Sequence, residues 1–309
     1  MTMLRSSTSE PTGAGAAQAC EKKLTNSNRN GAPSGAPSAD PSNFDSAISL
    51  SANGHEGVFV GELAREWWGG IGPHGGYLAA ILLRGLQLTA EHGRKAPRSL
   101  TVHYLRTATA GLVELRCTKE RSGGSLETVG LRLLQDGKPV VVGLGAVAAA
   151  RPSPALRDAR MPAVKPWREV EVSHFLSDCD VSDVAPTFAL QLEYRQCLGP
   201  APLSGGQEAL TGGWLRFRDG RPLDLAAAAM LMDAWWPAVW SRLRAVPRTP
   251  TIDLTLHFRD RPAPTPEPVL AVFRTRLAQD GLMDEEGELW SGDGRLLVQS
   301  RQLSMLLGA

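Results

Sequence analysis

The sequence predicts an α+β protein made of two copies of one module, each an apolar helix wrapped by a curved antiparallel sheet. Three observations lead there. Gly76 to about Ala90 is an apolar helical stretch, followed by a short turn and the strand block Leu100-Thr101-Val102-His103-Tyr104. Leu223 to about Leu243 is a second such stretch, followed by Leu254-Thr255-Leu256-His257-Phe258, with the two strand blocks 154 residues apart. A spacing that long means a duplicated domain, because stacked repeat arrays have periods of about 20–50 residues. Finally, each half offers one long helix but several strands joined by tight turns, which disfavours a doubly wound sheet.

In chain order, Gly57–Leu63 alternates and reads as a strand. A Gly-rich loop from Trp67 to Gly76 leads into the first helix, whose apolar members include Leu78, Ile81, Leu82 and Leu86. Strands follow at about Arg98–Arg106, Leu112–Arg121, Leu126–Leu134 and Pro139–Ala148. Gly123-Gly124 and Asp136-Gly137 supply hairpin turns between them. The second half repeats the order, with strands at about Phe188–Cys197 and Gly213–Phe217, then the helix. Strands near Thr251–Arg259, Val269–Leu277, Gly287–Ser291 and Arg295–Leu306 complete it, with a turn at Asp293-Gly294.

A sheet must bury one face, and one apolar helix inside a curved antiparallel sheet does so. This is the hotdog architecture, and two in one chain make a double hotdog. The expected organisation is a disordered tail over 1–45 and an N-terminal hotdog over 46–150. A loosely packed crossover linker over 151–187, holding five prolines, leads to a C-terminal hotdog over 188–309 that carries the site.

With 309 residues the chain is long enough for two cores. A net charge of +1 gives no reason to expect nucleic acid or an anionic membrane as partner. The four cysteines show no metal-ligand spacing and read as free thiols in a reducing compartment, so the expected location is cytoplasmic. The tail holds no hydrophobic run of secretory length. The apolar stretch from Leu225 to Ser241 carries Asp233 and Pro237, which favours a buried core helix over a membrane span.

Asp233 is the only charged residue between Asp224 and Arg242. A carboxylate inside a buried helix is penalised by desolvation or takes up a proton, so it must be paired or used. The alternative is a carboxylate at an exposed helix edge or near the Pro237 turn. The same shift of 154 places Ala79 in the first copy, so only one copy carries the acid. Thr251, at a strand start, and Gln302, on the inward face of the last strand with Ser300 and Ser304, are candidates to meet it. The first-half equivalents, Pro97 and Ala148, cannot replace them. His74, His103 and His257 invite a metal or dyad reading, but none has the spacing of metal ligands, and the symmetric recurrence of His103 and His257 on strands suggests a structural or interface role. Trp67 and Trp68 fit either a pocket wall or plain core.

These residues resemble those of the acyl-CoA thioesterase II family, the double-hotdog thioesterases. The match runs through Met232-Asp233, Thr251-Ile252-Asp253 and Ser300-Arg301-Gln302, and more loosely through Gly72-Pro73-His74-Gly75-Gly76-Tyr77. It covers roughly residues 50–309. The resemblance implies hydrolysis of an acyl thioester by a water held by Asp233, Thr251 and Gln302, with no cofactor and no metal. The partner it implies is an acyl-CoA or related acyl thioester, and association into a homo-oligomer is compatible with it. Gly75 and Gly76 would let substrate approach the helix start, whose N–H groups suit an oxyanion. Trp67, Trp68 and Trp236 are the further substrate-contact candidates. Ala234-Trp235-Trp236-Pro237 departs from the better-known members and, with Trp240, suggests a crowded pocket for short, branched or aromatic acyl groups. A non-catalytic acyl-thioester or lipid-binding hotdog is the alternative. A hydratase or dehydratase is disfavoured, because such chemistry asks for an Asp/His pair and neither helix contains a His.

Overall fold

The computed structural model describes residues 44–90, 95–178 and 186–308. Within these, thirteen strands form a single sheet: β1 Ser51–Ala52, β2 Val58–Leu63, β3 Lys95–Tyr104, β4 Gly111–Arg121, β5 Leu126–Gln135, β6 Lys138–Ala149, β7 Leu192–Leu198, β8 Leu210–Phe217, β9 Thr251–Phe258, β10 Val269–Arg274, β11 Ala278–Gln279, β12 Leu282–Trp290 and β13 Leu296–Met305. Their order is β1-β2-β4-β5-β6-β3-β9-β13-β12-β10-β8-β7, with β11 beside β12, and every pairing is antiparallel. The expected α+β double hotdog is therefore what the chain forms. Of the tail expected over 1–45, residues 1–43 lie outside the described residues, and its end is corrected: Phe44 and Asp45 open a short helix, Phe44–Ala47, with Phe44 buried in the core.

The two halves meet where β3 pairs with β9. Thr101 stands directly opposite Thr255, and their hydroxyls are 3.1 Å apart. His103 and His257, on the same two strands, are solvent-exposed. They belong to this seam, and no group of three or more potential metal ligands occurs among the described residues.

Two helices run along the inner face: α1 Gly75–Thr89 and α2 Leu225–Leu231. The α1 stretch has the expected bounds. Asp224 caps α2 by accepting the Ala227 N–H at 2.7 Å. The expected helix to Leu243 is corrected here: α2 stops at Leu231, and a 3₁₀ segment resumes only at Ala238–Arg242. Pro237 is the physical reason. It has no N–H, and it disfavours helical geometry at Trp236.

The core joins α1, α2 and the inner sheet residues, including Leu82, Leu100, Leu115, Met230, Leu254 and Leu289. The linker is corrected in part: residues 151–160 are exposed, as loose packing expects, but the stretch after them packs. Val164, Trp167 and Val170 lie with Trp214, Leu270 and Trp290 on the outer face of the C-terminal sheet, forming a second apolar cluster. Trp214 fixes the layer by donating its indole N–H to the Lys165 carbonyl at 2.8 Å.

Hairpin geometry follows the turn residues. Asp136-Gly137 has positive φ at both positions, 51° and 71°, as a two-residue hairpin turn requires. Asp280-Gly281 behaves alike, at 54° and 74°, and extends β12 to Leu282, five residues before the expected start.

Candidate active site

Asp233 sits in the turn that ends α2, not inside a helix. Its N–H donates to the Met230 carbonyl at 3.3 Å, a one-turn contact that closes the helix end. From there its side chain crosses to the other half and meets the start of α1. The Gly76 N–H donates to Asp233 Oδ2 at 2.8 Å, and His74 Nε2 lies 3.4 Å from the same oxygen. His74 Nε2 also donates to the Asp233 main-chain carbonyl at 2.8 Å. The side chain is 11% exposed. Burial raises its pKa above the ordinary carboxylate value, while His74 and the Gly76 N–H oppose the rise. An anion at a helix N-terminus is also favoured by the helix dipole.

Gly75 and Gly76 explain how a carboxylate fits there. A Cβ on Gly75 would stand 2.6 Å from Asp233 Oδ2, and one on Gly76 would stand 2.5 Å from the Met230 carbonyl oxygen. The close approach read from this Gly pair is made by the chain's own acid. Because the Gly76 N–H is occupied by Asp233, it is not free for an oxyanion. Tyr104, from β3, braces the turn by donating its hydroxyl to the Gly75 carbonyl at 2.8 Å.

His74, one of three histidines open to a dyad reading from sequence, is the one that pairs with the acid. It lies outside both helices, yet it stands at the cap position of α1 and reaches an acid 159 residues away. It is 7% exposed, and its ring stacks on Phe188 with centroids 4.0 Å apart. Burial lowers its pKa despite Asp233, which favours the neutral imidazole. In that form Nε2 carries the proton, since it donates to a carbonyl, and Nδ1 is a buried acceptor without a partner among the described residues.

Thr251 and Gln302 lie on neighbouring strands. Between Leu303 and Ser304 the β9–β13 ladder slips by one residue, so Thr251 rather than Ile252 opposes Ser304. That bulge re-aims Thr251, whose Oγ1 is 3.5 Å from the Ser304 hydroxyl, on the face that Gln302 shares. Gln302 is 8% exposed; its Nε2 donates to Glu285 Oε1 at 3.2 Å, and its Oε1 is buried without a partner among the described residues. Neither Thr251 nor Gln302 hydrogen-bonds to Asp233 directly. The acid and the strand pair are nonetheless neighbours: Met232 packs close to Gly287 and Ser300, and Asp233 is near enough to Glu285 to raise that residue's pKa.

The tryptophans divide. Trp67 is 1% exposed and packs on Phe44, Tyr77 and Phe217, so it is core. Trp68 is 7% exposed, and its backbone N–H donates to the Thr187 hydroxyl at 3.1 Å. Trp236 is buried against Trp235 and Phe175, with its indole N–H unpartnered. Tyr194 and Glu285 pin this loop by bonds to the Ala234 carbonyl (3.1 Å) and the Ala238 N–H (2.6 Å). Cys117 and Cys197 are free thiols whose pKa burial raises, which does not suit a nucleophile; Cys20 and Cys179 lie outside the described residues.

The chain belongs to the acyl-CoA thioesterase family. The family's acyl-CoA thioesterase N-terminal domain matches residues 64–148, and its acyl-CoA thioesterase C-terminal domain matches 158–306. Among curated proteins none matches. Solved structures do. A conserved protein of unknown function with a hotdog fold from Alicyclobacillus acidocaldarius is 28% identical, with 86% of this chain and 98% of that one covered and a TM-score of 0.77. A provisional thioesterase II from Thermobifida fusca YX is 26% identical, with coverage of 86% and 97% and a TM-score of 0.73. The acyl-CoA thioesterase II TesB2 from Mycobacterium marinum shares the fold at 18% identity, with coverage of 86% and 99% and a TM-score of 0.68. No helix among the described residues is long and apolar enough to cross a membrane.

Proposed function

We propose that the protein hydrolyses an acyl-CoA or related acyl thioester, with Asp233 activating the attacking water. The observation that carries this reading is the buried Asp233 carboxylate, held at the amino end of α1 by the Gly76 N–H. Its raised pKa makes it a stronger base than an exposed aspartate while leaving the anion favoured by the helix end. In this reading Thr251 Oγ1 and the Gln302 amide grip the same water from β9 and β13. Asp233 takes its proton as the oxygen attacks the thioester carbonyl, and the thiolate leaves as the tetrahedral intermediate collapses. The Gly75 N–H, which has no acceptor among the described residues, supplies a donor for the oxyanion. No covalent enzyme intermediate is required.

The Asp/His pair that sequence reasoning found missing is present as His74 and Asp233. Its geometry favours hydrolysis over hydration all the same. The single N–H of His74 is committed to the Asp233 main chain at 2.8 Å, so the imidazole acts as a strut for the acid. Trp235, Trp236 and Trp240 crowd the loop after the acid and support short, branched or aromatic acyl groups as substrates.

Thiol release across a panel of acyl-CoA thioesters tests the reading. Wild type is expected to turn over at least one, and Asp233→Ala to lose about 10²–10⁴-fold in kcat with its melting transition retained. Ligand binding without turnover in the wild type would identify a non-catalytic acyl binder instead.

A further inference from the structure

Glu285, in β12, stands directly opposite Gln302 in β13 and is only 5% exposed. Acidic residues are rarely buried this far without a cation, and among the described residues none faces Glu285. Its Oε2 accepts the Ala238 N–H at 2.6 Å, and its Oε1 lies 3.2 Å from Gln302 Nε2. The charged groups nearby are both negative: Asp233 from the turn after α2, and Asp284 on its own strand. From β13, Arg301 turns to the exposed face, 3.6 Å from Asp284. The same carboxyl group therefore ties together the segment that follows Asp233 and the strand that carries Gln302.

We propose that Glu285 is a positioning residue which, as the neutral acid, turns the Gln302 amide so that its NH₂ group faces the hydrolytic site. This rests on the reading of Gln302 as a water-holding group. Because Oε2 is engaged by the Ala238 N–H, the acid's proton belongs on Oε1, facing Gln302. A protonated Oε1 must donate, so the amide oxygen of Gln302 becomes its acceptor. Exchanging the amide oxygen and nitrogen of Gln302 leaves the rest of the chain in place and turns two N–H donors, in place of an acceptor with no partner among the described residues, toward the position of the attacking water. On ionisation Glu285 accepts from Nε2 instead, and the amide oxygen turns to the site. The two donors that hold the attacking water are then lost, and a second anion appears next to Asp233. Burial, together with Asp233, pushes the Glu285 pKa up to about 8, so the productive arrangement holds below that pH and is lost above it.

The test measures kcat and KM from about pH 6 to about pH 10 for wild type, Glu285→Gln, Glu285→Ala and Gln302→Ala, each checked by its melting transition. Wild-type kcat is expected to fall on the alkaline side with a midpoint of about 8. Glu285→Gln can accept from Ala238 and donate to Gln302 but cannot ionise. It is expected to keep kcat within about threefold of wild type at neutral pH and to lose the alkaline fall. Glu285→Ala is expected to lose about 10–100-fold in kcat with KM little changed. An unchanged alkaline fall in Glu285→Gln, or wild-type kcat in Glu285→Ala, overturns the proposal provided Gln302→Ala is impaired. Wild-type activity in Gln302→Ala overturns the reading beneath it. If Glu285→Ala does not fold, the Glu285→Gln profile decides alone.

Discussion

Asp233 is stabilised less than an exposed aspartate would be, and that is a stability cost tied to function. Its pKa is raised in the folded protein above the unfolded value, so the native state holds the proton more tightly. As pH rises through the unfolded value the unfolded chain ionises first, and stability falls until the folded group has ionised too. Asp233→Asn keeps an acceptor for the Gly76 N–H without the buried charge. It should melt above wild type at neutral pH, lose that advantage in acid, and be catalytically inactive; a melting series against pH checks all but the last. A lone acid in an apolar run was legible from sequence, and so was the inward face of Gln302; that these two share a water with Thr251 belongs to the proposal. The contacts that brace them were not legible. His74 acts across 159 residues, a distance no local pattern reports. Glu285 sits in an acidic run that resembles a solvated face, though alternation with buried Met283 and Leu289 places it inward.

At the scale of elements, the site exists because two helix ends meet. α2 stops at Leu231, so the chain can turn Asp233 across to α1, and α1 begins with two glycines, so the carboxylate can reach it. Gly76→Ala would drive a Cβ to 2.5 Å from the Met230 carbonyl oxygen and 3.0 Å from Asp233 Cβ. Backbone on one side leaves little room to yield. The expected result is a loss of about 1–3 kcal/mol in unfolding free energy. A 100-fold drop in kcat accompanies it, on the order expected when a catalytic group shifts by about 1 Å. Denaturant melts and thiol-release rates read the two effects separately. The helix and hairpin positions followed from apolar periodicity and from the Asp-Gly turns. The early end of α2 was written in Pro237, but the apolar run beyond it looked like continuing helix. The bulge that re-aims Thr251 comes from pairing with β13, which lies about fifty residues on and leaves no mark on the local sequence.

Across the whole molecule, the C-terminal sheet is covered twice. Its inner residues Leu215, Ala271 and Leu289 join the helix core, while their neighbours Trp214, Leu270 and Trp290 point outward under the linker. The duplicated modules and their seam were readable from the repeated strand blocks, but this outer layer was not, because the linker's prolines mask its few apolar contacts. Trp167 is its keystone. The Arg195 and Arg216 guanidinium carbons lie 4.2 and 4.8 Å from its ring centroid, and both arginines pair with Glu193. Burial would raise the Glu193 pKa, but the bonds from Arg216 and Arg195 outweigh it and hold the carboxyl below its usual value. Removing the ring loosens both cations and uncovers Trp214. Trp167→Ala should therefore lose about 1–3 kcal/mol of stability, less than a fully buried Trp because the residue is partly exposed. The proposed site lies on the opposite face of this sheet, so kcat and KM measured well below the melting temperature should match wild type. A fall in kcat with an unchanged melting temperature would mean that the outer layer reaches the site, and that the two faces of the sheet are coupled.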